Sequence, residues 1–442
     1  MIPFSTVYFE IVGVCNAKCK WCATGIANRS NNKRNFTYIT PEAFENAIIY
    51  LKTQNIVSEQ ALFGLYNYGE SFLHPQFAEI IGVAEKHSIR YRLSTNASVI
   101  PPGFRETTYE NLQSFTFSMP GFSQNSYDRI HGFDFSKIKD NMLTIYENMK
   151  ERGFKGKAQL SFHVYQFNLN ELEAAERFAI ENDFTFYPNV AIIADLEKYY
   201  EYLTSTIDYN TLKEIGEDLF LYYINDLRRD RPEHYACPQI YNALAIDEQL
   251  NVLTCCGIDP YMEDTKLGNL YEMTIEELQL RKKSAKFCTK CQREGIDYLF
   301  HNQLPGIALI SPSRKHKHEL RDTDGNILPC QLRIDLPKKQ GQLVKNSSNS
   351  IRGWCLYGGH IDKIEIYFND VLHGEALYGT PRSDVYAAYP AYKDTHSGYI
   401  YNFNTINLPP SQTPDNNKIK VIAYAQDNIV AQSEVDMLSI TE

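Results

Sequence analysis

From Thr6 to about Val190, short β-rich runs alternate with helical patterns, and this alternation constrains the fold more than any other feature of the chain. "TVYFEIV" precedes "TPEAFENAIIYLKTQN", in which Thr40 is a predicted cap, Pro41 takes the first helical position and apolar residues recur at helical spacing. "ALFGLYNYG", "IRYRLSTN", "SFTFSMPG", "AQLSFHVYQ" and "FTFYPNVAII" continue the strands, while "FAEIIGVAEKH", "FSKIKDNMLTIYENMKERG" and "LNELEAAERFAIEN" supply helices. Repeated strand-helix units imply a parallel sheet with right-handed crossovers. About six such units favour an open or closed α/β barrel over a small doubly wound sheet.

At 442 residues the chain exceeds one ordinary domain. The barrel is expected over residues 1–230, with an amphipathic helix at 205–230. Residues 231–305 form a small cysteine-rich segment with little regular pattern. A polar linker at 306–350, containing "PKKQGQLVKNSSNS", leads to residues 351–442, whose alternation in "KIEIYFNDVLHGEALYG", "SGYIYNFNTINL" and "KIKVIAYAQDNIVAQSEV" reads as an all-β sandwich.

Apolar residues at 43% and charged residues at 22% describe a globular chain, and no run reaches the roughly 18 apolar residues of a membrane span. No membrane partner is expected. The opening "MIPFSTVYFEIVG" reads as a strand rather than a leader, so a cytoplasmic protein is expected. The net charge of −10 argues against a nucleic-acid partner.

Ten cysteines in such a compartment point to metal ligation or catalysis before disulfides. Cys15, Cys19 and Cys22 cluster in "EIVGVCNAKCKWCATG"; Cys237, Cys255, Cys256, Cys288 and Cys291 form a second group; Cys330 and Cys355 stand apart. Zinc would accept the first three with a histidine, but the nearest, His74, lies outside the usual local spacing. Asn16, Lys18 and Lys20 make the stretch too polar for buried core thiols. A [4Fe-4S] cluster held by three thiolates, with one iron open, fits better.

The CxxxCxxC spacing, with an aromatic residue before its last cysteine, resembles the signature of the radical S-adenosylmethionine (radical SAM) enzymes. The resemblance implies a partial (β/α)6 TIM-like barrel. It also implies a cluster on Cys15, Cys19 and Cys22 that binds S-adenosylmethionine (SAM) and yields a 5′-deoxyadenosyl radical. Trp21 occupies the aromatic position. Gly69 and Glu70 match the family's Gly-Glu motif, glycine permitting close approach to the methionyl group and the carboxylate suiting its ammonium. Polar groups gather where later strands end: Ser94, Thr95 and Asn96 after the third, Ser118 after the fourth, His163 and Asn168 after the fifth. By resemblance Ser118 contacts the ribose or methionyl part and Arg129 pairs with the carboxylate. Pro120 departs from the family pattern, which has Asp or Asn there.

Cys237, Cys255, Cys288 and Cys291 make a four-thiol set that a zinc ribbon would also fit. Its context, "ACPQIYN", "TCC", "LGNLYEMTIEELQL" and "FCTKC", resembles the twitch domain, a short form of the SPASM domain, and implies one auxiliary [4Fe-4S] cluster. Either Cys255 or its neighbour Cys256 can be the ligand. An unligated Cys256 is a candidate hydrogen-atom donor for epimerisation, whereas an auxiliary cluster can also accept an electron during oxidation. The tail, with "GW", "GEALYGTPRSDV" and "SGY", resembles a β-sandwich module of polysaccharide-assembly enzymes. The reading is therefore a radical SAM oxidoreductase or epimerase acting on a sugar-type substrate or a ribosomal peptide, supplied with electrons by a flavodoxin or ferredoxin. The alternative is a non-catalytic zinc-binding protein with a glycan-binding sandwich.

Overall fold

The computed structural model describes residues 2–30, 35–204, 206–219, 231–260, 265–298, 319–338, 342–344, 348–380, 382–394, 397–404 and 417–441. Six parallel strands, β1 (Phe4–Phe9), β2 (Val57–Gly64), β3 (Arg90–Thr95), β4 (Leu112–Met119), β5 (Ala158–Val164) and β6 (Thr185–Val190), lie side by side in chain order. The helices between them include α1 (Ala23–Arg29), α2 (Pro41–Thr53), α3 (Phe77–Lys86), α4 (Gln124–Arg129), α5 (Phe135–Glu151) and α6 (Leu172–Glu181). Thr40 caps α2 by accepting from the Ala43 N–H, and Pro41 opens it. One face of each strand is apolar and packs on helices: Phe9 meets Phe44 of α2, and Phe115, Phe117, Leu160 and Phe162 are fully buried.

The opposite face is polar. Arg92 and Ser94 on β3, Ser114, Thr116 and Ser118 on β4, Gln159, Ser161 and His163 on β5, and Thr185, Tyr187 and Asn189 on β6 alternate with the buried apolar positions. A closed TIM barrel fills this volume with Val, Ile and Leu. Here it is furnished with hydrogen-bonding groups, which suits a chamber rather than a core.

After β6, α7 (Leu196–Leu203) and α8 (Tyr209–Asp218) close the barrel portion. The helix expected over 205–230 thus begins later, because Asp208 caps it by accepting from the Thr211 N–H; residues 220–230 lie outside the described residues.

The cysteine-rich segment is more regular than its sequence suggests, and it is continuous with the barrel. Its strands β7 (Ala243–Ile246), β8 (Asn251–Leu253) and β9 (Lys266–Asn269) extend the same sheet to nine, β7 pairing in parallel with β1. Three helices flank them: α9 (Pro238–Tyr241), α10 (Ile275–Ser284), opened by a Thr274/Glu277 capping box, and α11 (Lys286–Arg293).

The C-terminal strands form two sheets. β10 (Gln331–Leu336), β12 (Ser348–Leu356), β16 (Gly398–Asn404) and β15 (Leu377–Thr380) make one; β11 (Gln342–Val344), β18 (Asn428–Thr441), β17 (Asn417–Ala425), β13 (Lys363–Phe368) and β14 (Val371–Glu375) make the other. They share an apolar core that includes Ile351, Ile364, Phe368, Tyr399, Phe403 and Val421. Trp354 is buried against Tyr389, so it serves packing rather than an exposed sugar platform. Cys330 and Cys355, isolated in sequence, lie with their sulfurs 3.5 Å apart. β16 lies against α8. Residues 313–318, most of the histidine-bearing run "SRKHKHELRD", fall outside the described residues.

Candidate active site

Cys15, Cys19 and Cys22 lie on the loop between β1 and α1. Helix α1 is folded tightly onto that loop: a Cβ at Gly25 would stand 2.1 Å from the Cys19 carbonyl oxygen, which only glycine avoids. Asn28 donates to the Cys15 and Ala17 carbonyls at 2.6 and 2.7 Å, and Arg29 donates to the Lys18 carbonyl at 2.5 Å. Just beyond β3 the Asn96 amide reaches Asn16 Oδ1 at 3.1 Å and Cys15 Sγ at 3.7 Å. The loop is thus fixed by its own polar side chains, which explains why a metal-binding stretch is so rich in Asn and Lys.

All three thiols line a cavity of about 390 Å³ at the carboxyl ends of the strands, within the size range of small-molecule sites. Trp21, Gly69, Glu70, Thr95, Asn96 and Ser118 share that wall, as do Ser94, His163 and Asn189. Ser94, Thr95, Ser118 and His163 occupy the last two positions of their strands rather than the loops beyond. Burial pushes the Cys15 and Cys19 thiols well above their ordinary range. It pushes His131 down to about 3, with help from His163, and His163 down to about 4, so both cavity imidazoles are neutral.

Two expected cofactor contacts are not in this wall. The Arg129 guanidinium is turned away to Asp218 of α8, with Nε at 3.1 Å, and lies over the Phe167 ring at 4.3 Å. Asn168 is fully buried and spends its amide on backbone, donating to the Pro120 and His163 carbonyls at 2.8 and 2.9 Å and accepting from the Tyr165 N–H. Glu70 reaches the cavity wall, but its carboxylate is also occupied. It accepts from the Thr95 hydroxyl at 2.7 Å, the Asn96 N–H at 2.8 Å and the Phe72 N–H at 3.2 Å. Glu70 and Thr95 therefore tie the second and third strand ends together, a role that a Gly-Glu pair in sequence does not announce.

Glu10, on the way from β1 to the cysteine loop, was not singled out in sequence. It is buried, accepts from the Tyr68 and Gly69 N–H groups at 2.5 and 2.9 Å, and leaves Oε1 without a partner. Burial raises its carboxyl to about 8. Gly69 itself is pressed against β1's extension: a Cβ would lie 1.8 Å from the Val12 carbonyl oxygen.

The second cysteine group surrounds a much smaller cavity of about 20 Å³, lined by Cys237, Cys255, Cys288 and Cys291. Cys237 precedes α9, Cys255 follows β8, and Cys288 and Cys291 lie one turn apart on α11. Cys256 is absent from this lining. The Cys256 thiol donates to Cys255, which holds Cys255 down and Cys256 up, and Cys256 lies within electrostatic reach of Tyr8, Tyr66 and Arg92 on the barrel's inner face. Lys282 of α10, also missed in sequence because it sits in a run of cations, is fully buried and donates to the Thr254 carbonyl at 2.8 Å beside these thiols.

Among the described residues, no three His, Cys, Asp or Glu side chains converge closely enough to hold one metal ion. A [4Fe-4S] cube keeps its thiolates farther apart than a single ion does. Three soft thiolates on a large cavity and four around a much smaller one are donor sets suited to iron-sulfur clusters.

Residues 9–179 match the model of the Radical SAM superfamily. The chain carries a radical SAM domain. This match implies a [4Fe-4S] cluster and SAM at the first site. No curated protein matches the sequence. Among solved structures, the chain is similar to Streptococcus suis SuiB bound to precursor peptide SuiA, at 17% identity and TM-score 0.44. That alignment covers 63% of this chain and 65% of SuiB, so the chain spans just under two thirds of that relative. It is also similar to anSMEcpe with bound AdoMet (17%, TM-score 0.43, 66% and 88% covered) and to BtrN in complex with AdoMet and 2-DOIA (15%, TM-score 0.36, 67% and 91% covered). Among the described residues, no helix beside this domain is long and apolar enough to cross a membrane.

Proposed function

We propose that the protein is a radical SAM enzyme that carries an auxiliary [4Fe-4S] cluster and epimerises a hydrophilic, sugar-type substrate. The observation that carries this reading is the open cavity in which the Cys15, Cys19 and Cys22 thiols meet the polar ends of β3, β4 and β5. When bound, a [4Fe-4S] cluster and SAM there would supply a 5′-deoxyadenosyl radical for hydrogen-atom abstraction. Cys15, Cys19 and Cys22 would hold that cluster, and Cys237, Cys255, Cys288 and Cys291 the auxiliary one.

The chain's own residues do the rest. Trp21, Gly69 and Ser118 wall the cosubstrate's part of the cavity, and Asn96 keeps the Cys15 loop in place. Gly69 lets the backbone of this wall pack against Val12, where a side chain would clash. Neutral His163 and the Ser and Asn groups of the inner face offer hydrogen bonds without charge, the kind of lining that substrate hydroxyls need. Cys256 sits on the barrel side of the Cys255–Cys256 pair, which favours its use as a hydrogen-atom donor over its use as a ligand. Delivering hydrogen from Cys256 Sγ to the opposite face of a substrate carbon radical inverts that carbon and leaves a thiyl radical. One electron from a flavodoxin or ferredoxin and one proton restore the thiol.

The test is anaerobic reconstitution, counting of iron and sulfide, and reduction in the presence of SAM. About eight irons per chain and release of 5′-deoxyadenosine are expected. A colourless protein holding zinc would instead establish the non-catalytic alternative. In deuterated water an epimerase places solvent deuterium in its product and loses turnover on Cys256→Ala, whereas an oxidase does neither.

A further inference from the structure

Among the described residues, Arg92 on the inner face of the barrel forms no ion pair with an acidic group. Arg92 lies on β3 two residues before Ser94, so both project to the same side as the cavity. Across the sheet, Tyr8 of β1, Gly64 of β2 and Arg92 of β3 are in register. Gly64 leaves a notch there: a Cβ would stand 3.1 Å from Arg92 Nε, 3.5 Å from the Tyr66 ring and 3.6 Å from the Tyr8 ring. The Arg92 guanidinium carbon sits 4.9 Å from the Tyr8 ring centre and 5.8 Å from that of Tyr66. Tyr66 also lines the cavity that contains the three thiols.

The guanidinium carbon lies over both rings, and Arg92 also hydrogen-bonds the Tyr8 side chain, so part of its donor edge is used and part is left to other partners. Nε is buried and has no hydrogen-bond partner. Among the described residues, no carboxylate forms an ion pair with Arg92, although Asp and Glu outnumber Lys and Arg by ten in the whole chain. The groups that act on it are Tyr66, Tyr8 and Cys256. A half-buried guanidinium without a counter-charge is costly, and its planar fork matches a carboxylate or phosphate.

We propose that Arg92, framed by Tyr8 and Tyr66, is a substrate-binding residue that holds an anionic oxygen group, carboxylate or phosphate. Arg92 is within electrostatic reach of Cys256, so an anion held on it would bring the substrate toward that thiol. The substrate class narrows accordingly, from any hydrophilic, sugar-type molecule to an acidic or phosphorylated one. This inference rests on the reading of the cavity as a radical SAM active site.

Calorimetric titration of the reconstituted enzyme, with SAM present, uses inorganic phosphate in one arm and acetate in the other. The tighter arm identifies the group. Arg92→Gln is expected to weaken that binding at least about tenfold, and Arg92→Lys, which keeps charge but not the fork, by less. If Arg92→Gln does not assemble its clusters, Arg92→Lys alone decides, and binding equal to wild type overturns the proposal. Equal binding in Arg92→Gln and wild type, or binding of neither anion by wild type, also overturns it. Wild-type enzyme that releases 5′-deoxyadenosine but binds neither probe sinks only the anion site. Wild-type enzyme that binds a probe in an Arg92-dependent way yet never cleaves SAM sinks only the enzymatic reading.

Discussion

The two cysteine groups differ in what surrounds them more than in what they contain. The first has three thiols on one loop, opening on a cavity of about 390 Å³ walled by strand ends. The second has four thiols drawn from three separate elements around about 20 Å³, with the buried Lys282 ammonium close by. A loop that supplies every ligand leaves the opposite side free for a cosubstrate. Ligands that converge from several directions leave little room for a second molecule. A cluster held there, as proposed, would be suited to exchanging electrons rather than binding molecules.

Removing one ligand from each side gives the largest expected effect on this contrast. Cys15→Ala should lower iron from about eight to about four per chain and abolish 5′-deoxyadenosine release. Cys288→Ala should lower iron equally but keep that release while substrate turnover is lost. Equal loss of SAM cleavage in both would erase the distinction. The wall of the open site comes next. Gly69→Ala forces a Cβ to within 1.8 Å of the Val12 carbonyl oxygen, so the loop must move; a loss of about 3 kcal/mol in denaturant unfolding is expected.

A smaller effect is set by Glu10. Folded, it keeps its proton up to about pH 8, whereas its ordinary value is 4.5, so the folded state binds the extra proton between these values. Its stabilisation is complete below about 4.5 and is lost as pH rises through 8. His131 and His163, pushed below their ordinary value of 6.5, act in the opposite sense and only below it. Melting temperatures taken above pH 6.5 should therefore fall with rising pH in wild type and stay level in Glu10→Gln, which can still accept from the Tyr68 and Gly69 N–H groups. The smallest effect belongs to the four-thiol site. Burial pulls the Lys282 amine below its ordinary range while the neighbouring thiols favour its charged form; Lys282→Met removes that group, and the potential of the proposed auxiliary cluster should drop by on the order of 50 mV in an EPR-monitored titration.

The sequence made the barrel legible because each strand-helix unit repeats its own punctuation, as Thr40 and Pro41 show at α2. The thiol groupings were legible because ligand spacing is local. Distance along the chain hid the rest. Arg129 and Asp218 pair across 89 positions, so nothing near Arg129 reveals that its charge is already used. Asn168 and Glu70 have polar side chains of the right kind, but backbone groups consume them. Arg92 reads as an ordinary strand cation until Gly64 and Tyr8 are brought into register beside it.

Asp218 carries one more consequence. Fully buried at the end of α8, it holds both Lys20 of the cysteine loop, at 3.0 Å, and Arg129, while β16 of the C-terminal sheets rests on that same helix. The tail is thus a backstop for the segment that clasps the cysteine loop. Cutting the chain before residue 351 would expose the helix and slacken that clasp, so the shortened protein should lose iron from its first site faster than from its second.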